Sequence, residues 1–406
     1  MVDAVVVAAT RSPIGRAWRG SLVDVRPDDL GAAIVEAALG QIPQLGDERI
    51  DDLIVGCAEA QEEHGGNLAR RIGVMLGLDS VPGTTVNRAC ASSAQAVRMA
   101  HHAIKAGEGD VFICGGVEMV SRYQHRGKEG KKSPSYNPIF DTARERTQRY
   151  AVTNEVWHDP RETGELPDIY SVMGQTAENV ATLLGISRAE QDEFAMISQH
   201  RAQEAIASGF FAREITPVKL PDGSVMSLDD GPRAGVTLEA LARLKPVFRA
   251  KGTVTAGNSC PLNDGAAAVV VMSDRRAAEL GVTPLARIVS TAITGISPEV
   301  MGLGPIEACR EALARASMTV DDIDLVEINE AFAVQVIACY RALGLDHDRL
   351  NVHGGAIALG HPYGMTGARI MTTLINGLRT RDEQFGMESM CIGGGQGMAI
   401  VVERLN

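Results

Sequence analysis

Aromatic side chains are scarce, at 4% of the 406 residues. A core short of large rings must be filled by small and branched residues, so the 45% hydrophobic content and 43 glycines imply sheets packed against small-residue helices, in a chain long enough for two large cores. No apolar run approaches the roughly 20 residues that a membrane span needs. The opening VDAVVVAAT lacks the basic start and cleavage site of a signal peptide and reads as a first strand. Paired-cysteine motifs are also missing. The seven cysteines (Cys57, Cys90, Cys114, Cys260, Cys309, Cys339 and Cys391) are odd in number and include no CxxC, which implies reduced thiols in a cytoplasm rather than a disulfide framework or a metal site. Positive charge is in deficit as well: a net charge of −12 disfavours nucleic acid or an anionic membrane as partner.

Present instead are thiols and an imidazole in glycine-flanked or small-residue turns. Cys90 lies in TTVNRACASSAQAVRMAHHAIKAG, where a short β-branched segment turns into a helix of small residues. A helix N-terminus favours thiolate over thiol, so Cys90 is a candidate nucleophile with a lowered pKa, although a lone cysteine before a helix is more often inert. HGGAIALGHPYGMTGAR carries His361 at the start of a helix, and SMCIGGGQGMAIVVE carries Cys391 in a turn between two apolar segments. LVEINEAFAVQVIA ends a strand on Asn329 and Glu330 and begins a helix, so polar groups emerge at a strand's carboxyl end, where open α/β sheets bind ligands. CIGGGQGM is not a dinucleotide fingerprint, because GMAIVVE continues as strand where that motif needs a helix. Cys57, Cys114, Cys309 and Cys339 read as core residues.

The chain is internally duplicated. DERIDDLIVGC (47–57) parallels TVDDIDLVEIN (319–329), TTVNRACASSAQAV parallels NVHGGAIALGHPYGMTG, and DVFICGGVEMV (110–120) parallels SMCIGGGQGMAI (389–400). Helices expected at about 28–39, 66–77, 91–106, 305–316, 331–343 and 364–378 separate the β-rich stretches, giving two similar α/β halves with helices on both sheet faces. Cys90 and His361 then occupy equivalent turns, which a pseudo-two-fold axis could bring to one pocket. The stretch 121–245 has no counterpart in the second half. Rich in Pro, Gly and charge, with an amphipathic helix at about 188–208, it reads as an inserted loop domain, after which 253–271 returns to strand pattern.

NRACASSAQAV, NEAFA, GGAIALGHPYGMTGAR and CIGGGQGMA, in that order, resemble the nucleophile, asparagine, histidine and second-cysteine motifs of the thiolase family. AATRSPIG, GGVEMVS, MGQTAENVA, LKPVF and TVTAGNSCPLNDGAAAVVV extend the likeness nearly end to end. The resemblance implies an α/β fold of duplicated βαβαβαββ halves forming a layered α-β-α-β-α sandwich: residues 1–120 with 246–275, the insertion 121–245 for CoA and acyl binding, and 276–406. It implies an acyltransferase that cleaves 3-ketoacyl-CoA with coenzyme A, working as a homodimer or homotetramer with no permanently bound cofactor. Thiolysis needs a nucleophile, a base, donors for two oxyanions and an acid for the departing enolate. By resemblance, Cys90 attacks and carries the acyl group, His361 takes its proton, and Cys391 protonates the enolate and later activates CoA. One oxyanion hole would use His361 with a water held by Asn329, the other the N–H groups of Cys90 and Gly393. CoA contacts fall to Met173, Arg233 and Cys260. From Ser121 to Tyr150, eight bases (Arg122, Arg126, Lys128, Lys131, Lys132, Arg144, Arg146 and Arg149) face three acids, a stretch that could be a solvated loop or, with Arg233, could attract CoA phosphates.

Some positions depart from the family pattern. Val172 precedes Met173 where the acetoacetyl-CoA biosynthetic branch has histidine, which favours a degradative 3-ketoacyl-CoA thiolase over the biosynthetic alternative. His353 replaces a common asparagine, and Cys260 a serine usual near the pantetheine. A decarboxylating ketoacyl synthase shares the duplicated architecture but uses one cysteine with two histidines, which Cys391 argues against. A catalytically silent lipid carrier would be expected to lose the nucleophile or the base, and both are present.

Overall fold

The β-branched and small-residue segments form alternating strands and helices in a computed structural model that describes residues 2–46, 49–123 and 136–406. The first half opens with β1 (Ala4–Arg11) and the short β2 (Gly15–Arg16), followed by α1 (Pro27–Gly40). Pro27 starts α1 with φ already set, and Asp28 and Asp29 in its first turn complement the helix dipole. Then come β3 (Asp52–Gly56), α2 (Leu68–Met75), β4 (Gly83–Val86), α3 (Ser92–Ala106) and β5 (Val111–Met119). The insertion carries α4 (Asp141–Thr153), α5 (Met173–Leu184), α6 (Arg188–Ala207), a ribbon of β6 (Val218–Lys219) and β7 (Val225–Met226), and α7 (Leu238–Ala242). The chain re-enters the main sheet as β8 (Asn263–Ser273) and passes through α8 (Asp274–Leu280). The second half follows as β9 (Ala286–Gly295), α9 (Gly304–Ala316), β10 (Leu325–Ile328), α10 (Ala333–Leu343), α11 (Ala356–Leu359), α12 (Thr366–Arg381), β11 (Phe385–Ile392) and β12 (Gln396–Arg404).

Strand order makes the duplication explicit. The sheet runs β10-β11-β12-β9-β1-β8-β5-β3-β4, with β2 on β8. Outward from the centre, β1-β8-β5-β3-β4 is matched by β9-β12-β11-β10, and Leu350 bridges Val326 in parallel at the position equivalent to β4. The halves meet where Val5 and Val6 pair with Arg287 and Ala286, so a pseudo-two-fold axis passes between β1 and β9. Both faces of the sheet are covered. Along β1, Ala4 and Val6 enter the core shared with α3 and α12, while Val5 and Val7 enter the core under α1 and α2. A third core lies under α9 and α10. The layers are therefore α1/α2, sheet, α3/α12, sheet, α9/α10, the expected sandwich, with the two sheet layers joined edge to edge. Each fully buried Val or Leu contributes about 1.5–3 kcal/mol, which explains why near-continuous apolar strands suit a doubly covered sheet.

Several expectations need correction. The third sequence parallel is out of register: Gly56 pairs with Gly116 on β5 and Ile328 with Ser389 on β11, so 110–120 corresponds to about 383–393, and Glu118 is the equivalent of Cys391. Shared glycines drew the two segments together in sequence, whereas ladder pairing fixes them otherwise. Residues 253–262 are loop, and the strand begins only at Asn263. Among the described residues the insertion holds four helices rather than loop alone. Helix α6 forms with a Ser187/Glu190 capping box, but its buried face includes Gln191, Asp192, Ser198 and Gln199, so it is not amphipathic in the simple apolar sense. Of the basic stretch, Arg126, Lys128, Lys131 and Lys132 lie outside the described residues. Arg122 and Arg149 pair with Glu63 and Glu155, and Arg146 is buried against Glu165 and Glu299. Glu299 also accepts from Trp157 Nε1 and Asp168 N, both at 2.7 Å, so Arg146 stitches the insertion to the second half instead of meeting a ligand. Among the described residues no helix is long and apolar enough to cross a membrane.

Candidate active site

Two short turns on opposite sides of the pseudo-axis build the site. Ala89–Ala91 precedes α3, Tyr363–Met365 precedes α12, and the two turns pack against each other in the middle layer. Ala89 adopts φ +44°, a left-handed conformation costing a non-glycine residue about 1 kcal/mol, and so turns the chain sharply just before Cys90. The turn is held by Asn87 Oδ1 accepting from Ala89 N at 2.8 Å and by Ser92 Oγ donating to Ala89 O at 2.7 Å. Arg88 reaches from this turn to Gln396 Oε1 at 2.9 Å, tying it to the glycine turn after β11.

The Gly393 N–H lies close enough to the Cys90 sulfur to favour its thiolate. A Cβ on Gly393 would lie 3.6 Å from Met173 Sδ and 3.8 Å from Ala89 Cβ, so Met173, at the start of α5, walls the same spot. The expected depressed thiol pKa does not hold. Burial pushes Cys90 up to about 11 and outweighs the hydrogen bonds from Gly393 and its own backbone. Cys391 is fully buried in the last part of β11, paired with Gly397 rather than in the turn itself, and burial together with the nearby Cys90 and Cys260 charges raises its pKa well above the usual value. Both thiols are protonated at neutral pH.

His361 is 1% exposed. Thr366 Oγ1 donates its own proton to Pro362 O at 2.9 Å, so at its 2.6 Å contact with His361 Nδ1 it accepts, and Nδ1 carries the ring proton. Nε2 is left as the lone-pair nitrogen, facing Asn329 Nδ2 at 3.3 Å. Burial, then the Arg369 charge, lowers the imidazole pKa to about 3, so the ring is neutral at pH 7. Asn263 Oδ1 accepts from His361 N at 3.0 Å and fixes the backbone of the loop. Asn329 N is held by Ser389 O at 2.9 Å, while its buried Oδ1 has no protein partner and is the acceptor left over for a bound molecule.

The structure thus groups Cys90, Gly393 and Met173, joins His361 to Asn329, and sets Cys391 within electrostatic reach of Cys90. Cys260 borders the group: its N donates to Ala331 O at 3.1 Å, and its thiol feels the Cys90 charge. Arg233 is exposed, has no carboxylate partner among the described residues, and opposes the charge of Arg16. Val172 is 62% exposed at the N-cap of α5. The sequence reading missed Ala89, Asn263 and Thr366. The five-residue spacing of His361 and Thr366 across a turn was the one local signal available for Thr366.

Comparisons with known proteins identify the family. Family models described as "Thiolase, N-terminal domain" and "Thiolase, C-terminal domain" match residues 4–275 and 282–404. The "Beta-ketoadipyl-CoA thiolase" of Acinetobacter baylyi is 44% identical over the whole of both chains, and the "Acetyl-CoA acetyltransferase" of Cupriavidus necator is 42% identical, also over the whole of both. The crystal structure of human mitochondrial 3-ketoacyl-CoA thiolase in complex with CoA superposes with a TM-score of 0.85 at 36% identity, covering 100% of this chain and 98% of that one. The chain belongs to the thiolase family, acyltransferases that use coenzyme A as co-substrate without a permanently bound cofactor.

Proposed function

We propose that the protein is a degradative 3-ketoacyl-CoA thiolase that works through an acyl group on Cys90. The observation that carries the reading is the meeting of the Cys90 turn with Gly393 and Met173, beside a neutral histidine and a protonated second thiol. Cys90 Sγ bonds to the ketone C3 while its proton passes to His361 Nε2. The C2–C3 bond breaks, the carbonyl reforms on Cys90, and the enolate carbon takes the Cys391 proton to give acetyl-CoA. Cys391, now a thiolate, takes the proton of an incoming CoA thiol. The CoA sulfur attacks the acyl carbon, and Cys90 leaves, recovering its proton from His361. Thiol and imidazole both start neutral, so negative charge at the ketone oxygen and positive charge on His361 arise together, and preorganised donors lower the barrier; one such donor is typically worth 10²–10³ in rate. Asn329 with a water, His361 once protonated, and the N–H groups of Cys90 and Gly393 are those donors.

Ile169 and Met173, each about 3.5 Å from where a Cβ on Gly394 or Gly393 would lie, offer apolar contact to an acyl chain. Each methylene buried there adds about 0.8 kcal/mol, so a chain three methylenes longer gains tenfold or more if the contact persists in the transition state. Comparing kcat/KM for thiolysis of acetoacetyl-CoA, 3-ketooctanoyl-CoA and 3-oxoadipyl-CoA tests this. A longer substrate is expected to lead; a clear preference for acetoacetyl-CoA would return the protein to the biosynthetic alternative.

The unpaired Arg233 and the nearby Arg16 are the cations suited to CoA phosphates. Cys260 and Met173 suit the pantetheine, with 121–245 as the substrate-binding insertion between the halves 1–120 with 246–275 and 276–406. Strand β4, at the end of the sheet with all four residues half-buried, leaves an edge for a second copy, which supports a homodimer or homotetramer. Seven free cysteines support the cytoplasm as its place of work.

A further inference from the structure

The corrected register exposes a second cluster, related to the catalytic one by the pseudo-two-fold axis and buried behind the histidine loop. Residue 118 on β5 is the equivalent of Cys391, and Cys57 after β3 is the equivalent of Asn329. Where the second half carries the Cys391 thiol, this half carries Glu118, 0% exposed. Its carboxylate is filled by donors. Oε2 accepts from Ala58 N and from Gly364 N, each at 2.8 Å; Oε1 accepts from Glu59 N at 3.2 Å, Tyr123 Oη at 2.5 Å and Cys57 Sγ at 3.6 Å. Gly364 belongs to the loop that carries His361, and no room is left for that loop elsewhere. A Cβ on Gly364 would lie 2.7 Å from Val117 O and 2.8 Å from Glu118 Oε2, and one on Gly116 would overlap the Gly364 carbonyl.

We propose that Glu118 is a positioning residue for thiolysis: through the Gly364 N–H it pins the turn between His361 and Thr366 and so aims His361 Nε2 at the nucleophile. Gly364 follows His361 by three positions, and Thr366, which fixes the imidazole tautomer, follows two later. A shift of the turn is therefore a shift of the base. Burial raises the Glu118 pKa and the hydrogen bonds from Tyr123, Ala58, Glu59 and Gly364 oppose that rise, because the carboxylate offers them acceptors on both oxygens. Glutamine has the same shape but presents an amide N–H₂ to one set of them, leaving buried N–H groups without partners. Misplacing a reacting group by about 1 Å can cost about 10² in rate.

The inference rests on His361 as the base of the proposed mechanism, and a double-variant cycle separates the two ideas. Thiolysis is followed with whichever 3-ketoacyl-CoA the wild type cleaves best. Glu118→Gln is expected to lower kcat 10- to 100-fold while KM for CoA stays within about twofold. In a His361→Asn background, itself strongly impaired, the same substitution is expected to cost less than twofold. Equal losses in both backgrounds, or a fall in melting temperature with kcat unchanged, would mean that Glu118 merely supports the fold and would overturn the proposal. Wild-type turnover in His361→Asn alone would instead remove the mechanistic reading on which it rests. If Glu118→Gln does not fold, Tyr123→Phe decides, because it withdraws one donor from Oε1 without touching the loop. A severalfold loss of kcat that vanishes in the His361→Asn background supports the proposal; an unchanged kcat, or the same loss in both, overturns it.

Discussion

Replacing Thr366 by valine tests the tautomer on which base catalysis depends. The two side chains are nearly the same size, and Thr366 is 1% exposed, so packing changes little. What disappears is the acceptor 2.6 Å from His361 Nδ1. A buried N–H left without a partner costs about 1–3 kcal/mol. The ring can avoid that cost by moving its proton to Nε2, but there it would face Asn329 Nδ2–H at 3.3 Å and lose the lone pair that accepts the Cys90 proton. Either route depopulates the productive state, and at about 1.4 kcal/mol per factor of ten the expected loss of kcat is about 10- to 100-fold. Thr366→Ser keeps the hydroxyl and is expected to retain most of the rate. Steady-state thiolysis of a 3-ketoacyl-CoA reads both variants, with thermal melting to show that each is folded. A Thr366→Val enzyme within twofold of wild type would refute the tautomer assignment.

Cys391→Ser is expected to fold normally and lose most turnover, because a hydroxyl is too weak an acid to protonate the enolate and then serve as base; steady-state kinetics beside a melting curve checks this. With its thiol raised to about 11, Cys90 should react with iodoacetamide about tenfold faster per pH unit from pH 7 to 10, since the thiolate fraction grows that way below the pKa. A rate that levels off near pH 7 would instead mean a stabilised thiolate. Arg233→Ala should raise KM for CoA severalfold with little change in kcat, and the effect should shrink with added salt; an unaltered KM would remove Arg233 from the CoA site.

The duplicated α/β sandwich was legible because the strand before Asn329 repeats the strand before Cys57, and the helices after Cys90 and His361 follow matching turns. Register was less legible. GGVEMV and GGGQGM look alike as strings, but backbone pairing makes Glu118, rather than a residue before Gly115, the equivalent of Cys391. Cys90, His361, Asn329 and Gly393 stood out because each lies at a strand end or glycine turn. Their electrostatics did not: a helix start suggested an acidic thiol, whereas desolvation in the middle layer wins even though Cys90 is only half-buried. Arg146 shows the same limit from the other side. Its basic neighbours suggested a phosphate site, while the carboxylate it meets, Glu299, is 153 residues away in sequence. Glu118 meets Gly364, 246 residues away, for which no local pattern exists, and Thr366 had only its five-residue spacing from His361 as a signal.

The central claim is that Cys90 carries the acyl group, with His361 and Cys391 moving protons. Incubating the enzyme with a 3-ketoacyl-CoA in the absence of free CoA, quenching in acid and mapping peptides by mass spectrometry tests it directly. The account predicts one acyl adduct, on the peptide containing Cys90, that disappears when CoA is added. An adduct on Cys391 or Cys260 with Cys90 unmodified would contradict it.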